Sequence, residues 1–186
     1  GFPTAFSVIF FPVVSRPRCS DWEKNHTDYR RNPPALGGAF LRHSAKTIRE
    51  KDFIMSIYTE KAVALFREGY NCAQAVTGAF AEQFGMSQED ALRFSEGMGA
   101  GMGRLRLTCG AVSAMALLAG LKLSNGKPND LTTRKEVYAV VQEMAKAFQE
   151  KNGSIICAEL LGAARPKHET AQPEARTAAY YQKRPC

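Results

Sequence analysis

A chain of 186 residues suits one domain with an appendage, and 45% apolar content is enough for a packed core. The net charge of +7 is not focused, since residues 1–54 carry nine Lys and Arg against five Asp and Glu, and residues 55–186 carry sixteen against thirteen. With no basic face interleaved with aromatics, nucleic-acid binding is not indicated, and the longest charge-free stretches fall short of the roughly 20 apolar residues of a membrane span.

In chain order, residues 1–54 come first. They hold five of the nine prolines (Pro3, Pro12, Pro17, Pro33 and Pro34) and no sustained helical period. Their apolar run, GFPTAFSVIFFPVVS, lacks a basic region before it and contains Pro12, which is poor for a signal peptide. An N-terminal extension or leader outside the core is expected here, with Met55 as the start of the domain that runs to Cys186 and the cytoplasm as its compartment.

From Met55 the pattern is helical. Tyr58, Ala62, Leu65 and Phe66 form a stripe that ends at Gly69. Asn71 is an N-cap candidate for NCAQAVTGAFAEQFG, with Cys72, Val76, Ala79 and Phe80 facing inward. Ser87 to Asp90 reads as a helix start close to a capping box, for a short helix through Ser95. Then come the glycines of GMGAGMG and an uncharged helix from Cys109 to about Leu123, expected to be central because it is apolar all round.

NGKPND marks a turn. Val137, Val140, Val141, Met144 and Phe148 then define a helix from Leu131 to Asn152, stopped by Gly153. Ser154 is placed to cap a short helix in IICAELLG, and a further helix is expected near 169–182. No alternating strand pattern follows Met55. The expected fold is all-α: a compact bundle of about five to six helices around the helix at about 109–123.

Five cysteines (Cys19, Cys72, Cys109, Cys157 and Cys186) form no CxxC pair, and an odd count argues against a secreted disulfide scaffold. Cys72, Cys109 and Cys157 all fall at expected helix starts, where free N–H groups and the helix dipole favour a thiolate. Arg104 and Arg106 precede Cys109, so Cys109 is expected to be the most acidic thiol, with Cys72 close to it. The glycines do not form a dinucleotide fingerprint, because they lack G-x-G-x-x-G spacing and follow a helix. The segment is either a flexible connection or a place where Gly99, Gly101, Gly103 and, beyond it, Gly110 allow backbone to approach something closely, including a bound cofactor. His168, in the polar tail, and the acids Asp130 and Glu159 offer little for a hydrolase.

EGYNCAQAVTGAFAEQFG, GMGAGMGRLRLTCGAVSA, EKNGSIICAELLG and the final cysteine, taken in that order, resemble the C_GCAxxG_C_C family of redox-active proteins. The resemblance covers about Met55 to Cys186. It assigns Cys72, Cys109, Cys157 and Cys186 to the family's four cysteines, with Gly110 and Ala111 beginning its Cys-Gly-Ala-x-x-Gly motif. Ala114 stands where the last glycine is expected, a small-for-small change, and Cys19 matches nothing. Members tend to be encoded near transporter genes, so the resemblance implies a redox partner protein and a functional link to a transporter.

Three readings follow. Two of the four cysteines cycle through a disulfide in a thiol–disulfide oxidoreductase-like reaction. Alternatively, Cys72, Cys109, Cys157 and Cys186 form a four-thiolate metal site, suited to an iron–sulfur cluster or zinc. In the third, the bundle is structural or an adaptor, homo-oligomeric or not, and its thiols are inert. The first is preferred.

Overall fold

The computed structural model describes residues 57–186 apart from Lys167, Glu169 and Pro185. The expected extension at 1–54 and Cys19 lie outside the described residues. Helix α1 covers 57–67, α2 Cys72–Phe80, α3 Gln88–Ser95, and the short kinked α4 Gly99–Met102. They are followed by α5 Gly110–Leu123, α6 Leu131–Asn152, α7 Cys157–Leu161 and α8 Ala178–Lys183. Among the described residues there is no strand, only an isolated antiparallel bridge between Thr108 and Ile156. The all-α expectation holds, and the helices beyond the expected five or six are pieces of four to six residues.

Local chemistry sets the helix starts. Asn71 caps α2, its side chain accepting from the N–H groups of Ala73 and Gln74, while Gln74 accepts from the Asn71 N–H to complete a capping box. Ser87 caps α3 and Asp130 caps α6, which ends at Gly153 with φ 86°. Cys109 is the N-cap of α5 and not its first helical residue. Ser154 Oγ accepts from the Ile156 N–H and donates to Glu159, so it supports α7 from three residues upstream.

Two helices, not one, form the centre. α5 packs against α2, α6 and α4, and buries Val112, Ala114, Met115, Leu118 and Ala119. α2 is buried at every position from Ala73 to Phe80. Alanines and Gly78 let it sit deep, since a Cβ at Gly78 would come within 3.0 Å of both Leu65 and Leu92. Polar links fix α3 against α2. Thr77 and Ser95 hydroxyls meet at 2.6 Å inside the core, and Gln74 donates to the Leu92 carbonyl at 3.1 Å. Tyr58 of α1 stacks on the fully buried Phe80, ring centroids 4.6 Å apart. Apolar character all round α5 does not mean burial all round, because Leu121 is 48% exposed.

The C-terminal segment returns across the bundle. Tyr181 donates from its hydroxyl to the carbonyls of Phe66 and Arg67 at the end of α1. Arg184, only 8% exposed, pairs with Glu174. The last residue, Cys186, is thereby carried back toward the starts of α2 and α5.

Candidate functional site

Cys72 is the first residue of α2 and half-buried. Its thiol hydrogen-bonds the thiol of the buried Cys109 and accepts from the backbone N–H groups of Ala100, Gly110 and Ala73. These donors come from three places: α2 itself, the start of α5, and the glycine-rich loop. The bond from Cys109 is the largest influence, and with the three N–H groups it outweighs burial and lowers the Cys72 thiol to about 6.

Cys109 moves the opposite way. It supplies the proton in that bond, burial disfavours its charge, and the Cys72 charge opposes it further, so its thiol is raised well above the ordinary range. The pair is a thiolate at Cys72 stabilised by a thiol at Cys109. This reverses the sequence-based expectation that Cys109 would be the most acidic. The arginines adjacent to Cys109 in sequence are not aimed at it. Arg104 donates to the Thr170 carbonyl at 2.7 Å and faces Glu174 at 3.7 Å. Arg106, 3% exposed, reaches Glu174 at 3.9 Å and hydrogen-bonds Cys157. As an N-cap, Cys109 also receives only the Ala111 N–H.

The loop that donates to Cys72 is wound left-handed. Ala100, Gly101, Met102 and Gly103 have φ of 53°, 71°, 61° and 57°, and Arg104 and Arg106 follow at 74° and 61°. Four of these six residues carry a Cβ, at a cost of order 1 kcal/mol each or more. The turn brings the Ala100 N–H onto the Cys72 sulfur.

Three of the glycines singled out in the sequence pack against the site, with protein atoms in the space a Cβ would take. A Cβ on Gly110 would lie 2.5 Å from Cys72 Sγ, one on Gly101 2.7 Å from the Cys157 Cβ, and one on Gly99 2.3 Å from the Asn71 side chain. Gly103, with only Gly97 O near it at 3.7 Å, serves the left-handed turn instead. The chain therefore passes close to its own cysteines here.

Cys157 is held beside Cys109 by the short bridge. Cys109 N–H donates to Ile155 O at 2.8 Å, and Cys157 N–H donates to Leu107 O at 2.6 Å. Burial raises the Cys157 thiol, and the Arg106 bond offsets part of that. Cys186 is exposed as a residue, yet burial of its thiol, followed by the charges of Cys72 and Cys157, pushes it up to about 11. Cys72 thus acts on each of the other three sequence-selected cysteines, and all four are free thiols.

Among the described residues, no group of three or more His, Cys, Asp and Glu side chains is arranged to hold a metal ion. The thiols of the described residues do not fit a four-cysteine metal centre in this arrangement. His168 is exposed, and Asp130 is the cap of α6. No helix of the described residues is long and apolar enough to cross a membrane. Sequence reasoning missed Glu174 and Arg184, which converge with Arg106 beside Cys157. They lie in a polar tail without periodicity, so only the folded chain reveals them.

Comparison with curated proteins and with solved structures gave no match. A family model described as "Putative redox-active protein (C_GCAxxG_C_C)" matches residues 70–186, a span that begins just before Asn71 and contains all four interacting thiols. The chain belongs to the C_GCAxxG_C_C family.

Proposed function

We propose that this protein carries out thiol–disulfide exchange, with Cys72 as the attacking thiolate and Cys109 as the resolving thiol. The observation that carries the reading is the hydrogen bond between the Cys72 and Cys109 thiols, with backbone N–H groups from Ala73, Ala100 and Gly110 turned toward Cys72. A thiolate at neutral pH is the species that exchange requires, and an adjacent thiol is what completes it.

The Cys72 thiolate attacks one sulfur of a substrate disulfide. A mixed disulfide forms at Cys72, and the other substrate sulfur leaves as a thiolate. The Cys109 proton passes to that leaving sulfur. Cys109, now a thiolate, attacks Cys72 Sγ, closing a Cys72–Cys109 disulfide and releasing the second substrate sulfur as a thiolate. Two electrons have moved from the dithiol to the substrate, and no proton is gained or lost.

The substrate class is an accessible disulfide on a redox partner protein or a small molecule. The alternative of a four-thiolate metal site finds less support, because the thiols lack a ligating arrangement among the described residues.

Cys109→Ser is the discriminating variant. Incubated with oxidised glutathione, it is expected to accumulate a glutathione adduct on Cys72, found by peptide mass spectrometry, while the parent chain proceeds to the internal disulfide. Equal adduct yields on Cys72 and Cys157, or none on Cys72, would remove the assigned roles.

A further inference from the structure

Building on the exchange reading above, we infer that Arg104, Arg106 and Arg184 form a carboxylate-binding site beside the thiols, which the chain's own Glu174 occupies until substrate takes its place. The disulfide exchanged at Cys72 is then one whose carrier holds a carboxylate near its sulfurs.

The three guanidiniums converge on one oxygen. Glu174 Oε1 pairs with Arg184 and lies 3.7 Å from Arg104 Nη1 and 3.9 Å from Arg106 Nη2. The arginine side is fixed and the carboxylate side is not. Arg106 and Arg184 are buried, whereas the Glu174 side chain is 39% exposed. Each arginine also has a hold that does not involve Glu174. Arg104 Nε donates to the Thr170 carbonyl at 2.7 Å, and the Arg184 guanidinium lies over the Tyr180 ring at 4.6 Å. Arg106 is anchored by its backbone, where its carbonyl accepts from the Ala158 N–H at 3.1 Å. Glu174 itself lies outside any helix, between Pro173 and α8. Buried arginines that share one exposed carboxylate on irregular chain can exchange it for another, and Glu174 shows that a carboxylate fits them.

Backbone contacts set this cluster beside the sulfurs. Cys157 N–H donates to Leu107 O at 2.6 Å and Cys109 N–H to Ile155 O at 2.8 Å, so Arg106 opens the same short ladder that holds both residues. A Cβ on Gly101 would stand 2.9 Å from the Arg106 Cα, and the neighbouring Ala100 gives its N–H to Cys72. Beyond Glu174, the same segment reaches the chain that leads into α2. Tyr181 donates to the Phe66 and Arg67 carbonyls at 3.1 and 3.2 Å, and Arg176 Cγ lies 3.9 Å from the Cβ position of Gly69, three residues before Cys72. The segment carrying Glu174 therefore bridges the two stretches of chain that flank Cys72.

A thiolate at Cys72 repels an incoming carboxylate. Arginines beside it turn that repulsion into selectivity, because only a disulfide that carries a carboxylate is held by them. The exchange steps keep their atoms and electrons as given above. Binding moves Glu174 out to solvent, each substrate half departs as a thiolate with its own carboxylate, and Glu174 returns to the arginines.

The test follows, in the reduced full chain, the rate at which Cys72 enters a disulfide, by acid quenching and peptide mass spectrometry. Dithiodipropionate carries a carboxylate on each half, and hydroxyethyl disulfide is neutral and of similar length. Glu174→Gln should raise the rate with dithiodipropionate about tenfold relative to the neutral probe, the scale of one charge-assisted hydrogen bond. Arg104→Gln and Arg184→Gln, each added to Glu174→Gln, should abolish that gain, and the first of them leaves the Arg184–Tyr180 stack in place. A gain that survives both overturns the site. At equal ionic strength propionate should slow the dithiodipropionate reaction more than chloride does; equal slowing marks a general field and overturns it too. A disulfide-linked peptide with glutamate beside its cysteine, run against its glutamine counterpart, identifies the source. Preference in the peptide pair alone assigns a partner protein, and preference for dithiodipropionate assigns a small molecule. No carboxylate preference in either pair overturns the inference and leaves the exchange reading standing, because hydroxyethyl disulfide still oxidises Cys72. Failure of every probe at Cys72 removes both.

Discussion

Cys72 and Cys109 are chemically one unit, and their opposite shifts give the protein a defined pH response. The folded Cys72 thiol sits at about 6 against an ordinary 9.0. Between those values the unfolded chain binds more protons, so stability rises with pH across the window and is lost as pH falls toward about 6. Cys109, Cys157 and Cys186 are shifted upward, so their contribution is intact below about 9 and declines as pH rises further. The urea midpoint of the reduced protein is therefore expected to climb through the neutral range and turn over near the ordinary thiol value. Cys72→Ser should flatten the climbing limb and also weaken the falling one, because Cys72 helps raise Cys109, Cys157 and Cys186; a flat climb in the parent chain would contradict the assignment. From sequence, the helix starts identified the thiols to watch but not which one holds the charge. That depends on where Arg104 and Arg106 turn, and both face Glu174 in a segment distant in sequence.

Among the elements, the caps were legible and the glycine loop was only half so. Asn71, Ser87 and Gly153 act as their sequence context indicates, because capping involves only one residue and the adjoining turn. The left-handed run at Ala100, Met102, Arg104 and Arg106 has no local signature, since what it achieves is to bring the Ala100 N–H to Cys72 on another helix. Substitutions separate these roles. Gly110→Ala would force a Cβ to 2.5 Å from Cys72 Sγ and 3.0 Å from Met98 O, so a loss of about 1–3 kcal/mol is expected together with a higher Cys72 alkylation midpoint. Gly120→Ala, in the same helix with no atom within 4 Å of the new Cβ, should stabilise by about 0.5–1 kcal/mol and leave that midpoint alone. Asn71→Ala should cost about 0.5–2 kcal/mol through the lost cap. Chemical denaturation paired with alkylation distinguishes them, and equal behaviour of the two glycine variants would refute the close-approach argument.

For the whole molecule, periodicity identified the all-α class and both long helices, α5 and α6, because their patterns run over many turns. It understated α2, whose alanines look unremarkable in sequence yet let the helix bury every residue from Ala73 to Phe80. The prolines and missing period of residues 1–54 lead us to expect that a chain begun at Met55 keeps its helical circular dichroism and cooperative melting. Loss of either would place those residues in the core. Folding brings four thiols dispersed over more than a hundred residues into mutual reach and makes one of them the thiolate. The most direct test is site-resolved alkylation of the reduced, metal-free protein across pH, with peptides quantified by mass spectrometry. Cys72 should be half-labelled near pH 6 and Cys186 only at far higher pH, near 11, with Cys109 labelled last. Labelling of Cys109 before Cys72, or of Cys72 only near the ordinary thiol value, would contradict the account.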